Sequence, residues 1–280
     1  MDIDYFGLLK KSWKDFLNNK ILFVPIIIAI LIVFFLIFVE LVFVYIVSNG
    51  QLAEIFSGNL VFTIIFCLLN FALLVYGSCF FTSVYLSMAR EIIDTGKTSL
   101  RDFSGKGSRF LANVFWIAFY LFSLLLAPTA VLVILGVCLV NTVLPLAIFF
   151  FVLAVLYFLA ALIFIVFGTY FWQPIATADS ATGWNLFVKI LSFSRQNLST
   201  VFLTWVVALL VSLVVGILLF FIALPSTIMH IVAPGALSGA IQIIFRILTS
   251  VINVILNLVL MLFIFNVYFT ATRKQKNKKK

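Results

Sequence analysis

Charge is what this chain has least of. Asp, Glu, Lys and Arg together make up 10% of its 280 residues, against 65% hydrophobic side chains and a mean hydropathy of +1.30. No water-soluble surface can be assembled from that composition. Histidine is almost absent. A single His230 with no HExxH, no Ser/His/Asp set, no Gly-rich phosphate loop and no paired carboxylates leaves nothing from which to build hydrolytic or metal chemistry, so the expectation is not an enzyme, with no cofactor and no metal. His230, without a second ligand nearby, reads as a loop residue. The three cysteines, Cys67, Cys79 and Cys138, sit inside apolar runs without metal or redox spacing and read as small packed hydrophobes.

The charge that is present is segregated. Between Arg109 and Asp179 lie 69 residues with none, and between Arg195 and Arg246 another 50. A helix needs ~20 apolar residues to cross a ~30 Å hydrocarbon core. Six stretches qualify, at 21–48, 59–88, 110–138, 144–172, 199–228 and 241–271. The uncharged block fits two tilted spans easily and three short ones barely; two are expected, divided at Asn141-Thr142 with Pro145 opening the second. Turn chemistry at Ser48-Asn49-Gly50 and at Pro225, Pro234 and Gly235 marks other ends. The chain is thus expected to be one all-α membrane domain over 1–280: an amphipathic segment to residue 20, a six-helix bundle over 21–272, and a basic tail, 273–280.

Orientation follows from lysine and arginine. Seventeen of the eighteen fall before the first span, in the second and fourth connections, or in the tail. By the positive-inside rule that side is cytoplasmic, with both termini there. The net charge of +9 is accounted for in this way, and nucleic acid is not an expected partner. The opening residues do not read as a signal peptide, because the apolar run after them is about 28 residues long and has no small-x-small cleavage site. The Asn197-Leu198-Ser199 sequon falls on the inner side, where it would go unused.

In residues 3–19, Phe6, Leu9, Trp13, Phe16 and Leu17 recur at helical spacing, with Lys10, Lys11, Lys14, Asp15 and Asn18 opposite. This predicts an interfacial helix with Trp13 and its lysines at headgroup level. Setting Asn19 on Asn197 pairs Phe6 with Trp184, Leu9 with Phe187 and Lys11 with Lys189. A weaker copy, "SLRDFSGKGSRFLANVFW", puts Asn113 in the same place. The chain therefore reads as three units of amphipathic collar plus hairpin, each ~90 residues.

"SWKDFLNNKILFVPIII", with "FWQPIATADSATGWNLFVKILSFSRQNLSTVFLTW", resembles the membrane domain fused to some bacterial glycerophosphodiester phosphodiesterases and its free-standing bacterial and archaeal relatives. Pro174, Asp179, Ser192 and Asn197 occupy the places of that outline, whereas Asn19-Lys20 stands where Asn-Pro is frequent. The resemblance implies a six-helix integral membrane protein without the catalytic domain. The expected setting is the plasma membrane of a prokaryote.

Inside the apolar stretches, Glu40 and Arg246 are the ionisable pair to examine. They either meet as a buried ion pair that coordinates a solute, or snorkel separately to the outer headgroups. Gln242, Arg246, Thr249, Ser250, Asn253 and Asn257 share one face of the last helix, and Thr63, Cys67, Asn70, Gly77 and Ser78 one face of the second. Each stripe could line a hydrated path or join helices by hydrogen bonds. Pro128 should kink the third span. The tail either meets anionic lipid or merely stops translocation. Two functions follow: a non-enzymatic scaffold whose basic collars contact lipid headgroups or a protein partner, and a small transporter using Glu40, Arg246 and the stripe.

Overall fold

A computed structural model describes residues 3–32, 60–178, 180–232 and 236–278. The protein is an all-α polytopic membrane protein. Its elements in chain order are α1 (Tyr5–Asn18), one 3-10 turn (Lys20–Phe23) leading into α2 (24–32), α3 (Leu60–Thr95), α4 (Phe103–Arg109), α5 (Leu111–Leu139), α6 (Leu144–Gly168), α7 (Trp172–Ala178), α8 (Gly183–Gln196), α9 (Leu198–Val232) and α10 (Ala236–Lys278). Five of them are long and apolar enough to cross a membrane. The first expected span is described only as far as residue 32. The uncharged block holds two spans, as expected, joined through the short connection 140–143. The expected tail is no separate segment, because α10 runs on through it to Lys278.

The residues pack as two compact units, Met1–Asn18 with Ile117–Lys280, and Asn19–Trp116. In both, burial changes sharply along the helices. Residues 241–257 of α10 are exposed or half-exposed, whereas most of 258–271 is buried. In α9 the change comes after Ala208, in α5 after Ile117, and in α3 the chain is open over 68–78 and mostly buried over 83–92. Large apolar side chains left open over ~20 residues, ~30 Å of helix, match the hydrocarbon thickness and face lipid. The expected spans therefore join two environments: a lipid-facing half, and a protein-packed extension at the end rich in Lys and Arg. The core of the larger unit lies in that extension, where Phe171, Ile175, Leu186, Ile190, Val201 and Phe263 pack together.

Among the lipid-facing halves, α6 buries only Ala147, Ala154 and Ala161, one face at every second turn. Such small side chains let helices approach closely where lipid supplies no hydrophobic drive. Pro128 lies within α5 and has no N–H for the carbonyl of Leu124. The Tyr157 hydroxyl of α6 donates to that carbonyl at 2.6 Å instead.

Candidate functional site

The collars are where charge, burial and specific hydrogen bonds converge. Asp4 caps α1, its Oδ1 accepting the Gly7 N–H at 2.8 Å. At about 100° per residue the helix then shows three faces. Leu8, Ser12 and Phe16 pack inward, with Tyr5 and Leu9 half-buried beside them. Phe6, Trp13 and Leu17 are exposed, Phe6 by 75% and Trp13 by 48%. Lys10, Lys11 and Lys14 point to a third, open side. The single apolar face expected from sequence is thus divided, because the centre of the packed side is the polar Ser12.

Ser12 is fully buried against α10. Its hydroxyl donates to the Leu8 carbonyl at 2.8 Å, which leaves its lone pair to accept from the Asn266 side-chain amide at 2.9 Å. The same amide reaches Asp15 Oδ2 at 3.4 Å. Beside this joint, burial pushes the Tyr5 phenol above its usual range, against the opposing effect of hydrogen bonds with Thr200 and Thr204.

The second collar repeats the first. Displacing α1 onto α8 by the Asn19–Asn197 pairing sets buried Ser12 on Ile190, Phe16 on Ser194 and Asn19 on Asn197, while exposed Phe6 meets exposed Trp184 and exposed Lys11 meets exposed Lys189. The break residues share a backbone, φ −125°, ψ 51° at Asn19 and φ −124°, ψ 36° at Asn197. The middle copy differs from expectation. Its break falls at Phe110 (φ −118°, ψ 9°), and Asn113 lies one turn inside α5. The reason is a substitution of partners: the Phe110 N–H donates to Ser83 Oγ at 2.9 Å, and Ser83 Oγ in turn donates to the Lys106 carbonyl at 3.1 Å. A hydroxyl from α3 has entered the helical bond that the break opened. Asn19 also does more than end a helix. Its side chain takes the Thr98 N–H at 3.0 Å and donates to the Gly96 carbonyl at 3.2 Å, docking the turn after α3.

That turn encloses Lys106, which is 7% exposed. Its ammonium donates to Glu91 Oε2 and to the Ser99 carbonyl, both at 2.6 Å, and Thr98 Oγ1 donates to the same carboxylate oxygen at 2.7 Å. Ser87 adds a second hydroxyl to the Lys106 carbonyl at 3.0 Å. Ser83, Ser87 and Glu91 stand four residues apart on one face of α3, a spacing visible in the sequence, whereas the partner they share is not.

Glu40 lies outside the described residues, as does Asp179. Arg246 is exposed, and its carbonyl accepts the hydroxyls of Thr249 at 2.9 Å and Ser250 at 2.8 Å, so that part of the stripe bonds to its own helix. Gln242 and Asn70 are half-buried, whereas Asn253 and Asn257 are exposed. Cys79 is buried and Cys138 exposed, each as a free thiol. Among the described residues no three of His, Cys, Asp and Glu stand close enough to share a metal ion.

Each unit has an apolar cavity among its described residues. One, of about 530 Å³, lies between α1, α9 and α10, walled by Phe6, Trp13, Val215, Ile252 and Val259 with Lys10 at its edge. The other, of about 590 Å³, lies between α3 and α5 beside Cys79, Phe71 and Trp116. Comparison with known proteins gives no match to a family model, to a curated protein or to a solved structure.

Proposed function

We propose that the protein is a non-enzymatic membrane scaffold whose basic collars hold the anionic headgroups of the inner leaflet of a prokaryotic plasma membrane, with both termini cytoplasmic. The observation that carries this reading is the three-sided form of α1. One side packs on protein, the second presents Phe6 and Trp13, and the third presents Lys10, Lys11 and Lys14. A helix with these sides fits the boundary where hydrocarbon, headgroup and water meet. The exposed Lys189 at the matching position of α8 supports the same role. The apolar walls of both cavities favour headgroup contact over a path for a polar solute. The likeness to the phosphodiesterase-linked membrane domain agrees with a non-catalytic role and rests on the motifs quoted above.

The test is thermal melting of the purified protein with added phosphatidylglycerol or phosphatidylcholine. A ligand that binds only the folded state raises the melting temperature. Phosphatidylglycerol should raise it more, and the variant K10Q/K11Q/K14Q should lose the difference. Equal shifts from the two lipids in the native protein would refute headgroup recognition.

A further inference from the structure

The groove between α1, α9 and α10 lies where the lipid-facing halves of the spans give way to the packed collar layer. Val215 belongs to the open half of α9, and Ile252 to the open half of α10, while Val259 is already buried. The groove is therefore at the depth of the first methylenes below a headgroup. Its walls are apolar almost throughout, and among the described residues the only charged one lining it is Lys10. Lys14 stands one turn further along the same face of α1, also exposed. No carboxylate of the described residues lines it. An apolar trough with an unopposed cation at its mouth is complementary to one class of molecule in a bilayer, an anionic amphiphile.

We propose that this groove is a site for one acyl chain of an anionic phospholipid, with the headgroup phosphate held at Lys10. Phe6 and Trp13 form the wall nearest the surrounding lipid. Their open placement on a helix otherwise anchored by Ser12 makes that wall part of the site rather than of the core. The lysine selects phosphate that carries a net negative charge, because a zwitterionic headgroup brings its own cation. The site rests on the proposed headgroup-facing collar and adds to it a defined position for the chain.

The test uses the full protein in nanodiscs containing a trace of phosphatidylglycerol whose acyl chain carries a diazirine close to the ester. The matched phosphatidylcholine probe is run alongside, and labelled peptides are mapped by mass spectrometry. Labelling should concentrate on residues 5–18 and on the facing parts of α9 and α10, with phosphatidylglycerol favoured about fivefold, the preference one lysine confers near anionic lipid. Lys10→Gln should remove that preference and keep the location. Val215→Phe, at a half-buried position that lines the groove and lies outside the buried core, should lower labelling by both probes. Equal labelling by both lipids in the native protein overturns phosphate recognition at Lys10. Labelling spread evenly over α5, α6 and α9 overturns the site itself, whatever the melting experiment finds. Protection of the groove by crosslinks between two copies of the chain also overturns it, by showing a different occupant.

Discussion

Tyr157 and Leu124 are bound across two spans, the hydroxyl of one donating to the main-chain carbonyl of the other at 2.6 Å, and the carbonyl concerned is the one that Pro128 deprives of its helical donor. In hydrocarbon an unpaired carbonyl has no water to turn to. Tyr157→Phe should therefore destabilise the protein by about 1 kcal/mol, within the range for interhelical bonds in membranes. Pro128→Ala restores the N–H and should make the same Tyr157→Phe change nearly silent. Melting of the four proteins of this cycle in detergent checks it. Equal losses on both backgrounds would show that the hydroxyl is not replacing the missing donor.

The joint between Ser12 and Asn266 makes an unequal prediction. Ser12→Ala removes the nearer acceptor and leaves the buried amide only its longer bond to Asp15, at a cost of about 1 kcal/mol. Ser12→Ala with Asn266→Leu removes both polar groups and should recover part of the loss. A double variant that melts below both single ones would refute the pairing.

Glu91 and Lys106 are not equivalent partners. The Lys106 side chain is 8% exposed and that of Glu91 32%. Glu91→Gln leaves a buried ammonium without its counter-charge, whereas Lys106→Met leaves a carboxylate that water can reach. The first should cost about 2 kcal/mol and the second about half of that. Denaturation of the two variants under identical conditions decides it, and the reverse order would overturn the assignment.

The amino-acid pattern was enough for some of this and not for the rest, and the division has a physical basis. Lipid-facing helices are legible because nearly every side chain on them obeys one rule, but the rule does not count helices, and two spans in the uncharged block had only a better fit in length than three. The breaks at Asn19 and Asn197 are legible because the residue that ends the collar is of the same type in both. Phe110 carries no such mark, since its orphaned N–H is met by Ser83 from a helix that precedes it by 27 positions. Lys106 falls by sequence among the cations of a connection that set orientation, and it is buried. Its partner Glu91 stands 15 positions away, outside any helical period. Gly107 belongs with them: a Cβ there would run into the ring of Phe80, a constraint that only the packing of α4 on α3 reveals. Helical spacing placed the apolar residues of α1 but not its inward side, because that side is chosen by Asn266.

The joint that fixes α1 has one end near the start of the chain and the other 254 positions later. At the ~5 to 20 residues per second of synthesis, α1 exists for about 13 to 50 s before the helix it packs against has been made. During that interval its inward side can meet α9, through Tyr5 with Thr200 and Thr204, but not the helix that holds Ser12. Its exposed sides, Phe6 with Trp13 and the three lysines, do not depend on that arrival. Closing the collar therefore waits for α10, however early the residues of α1 are made.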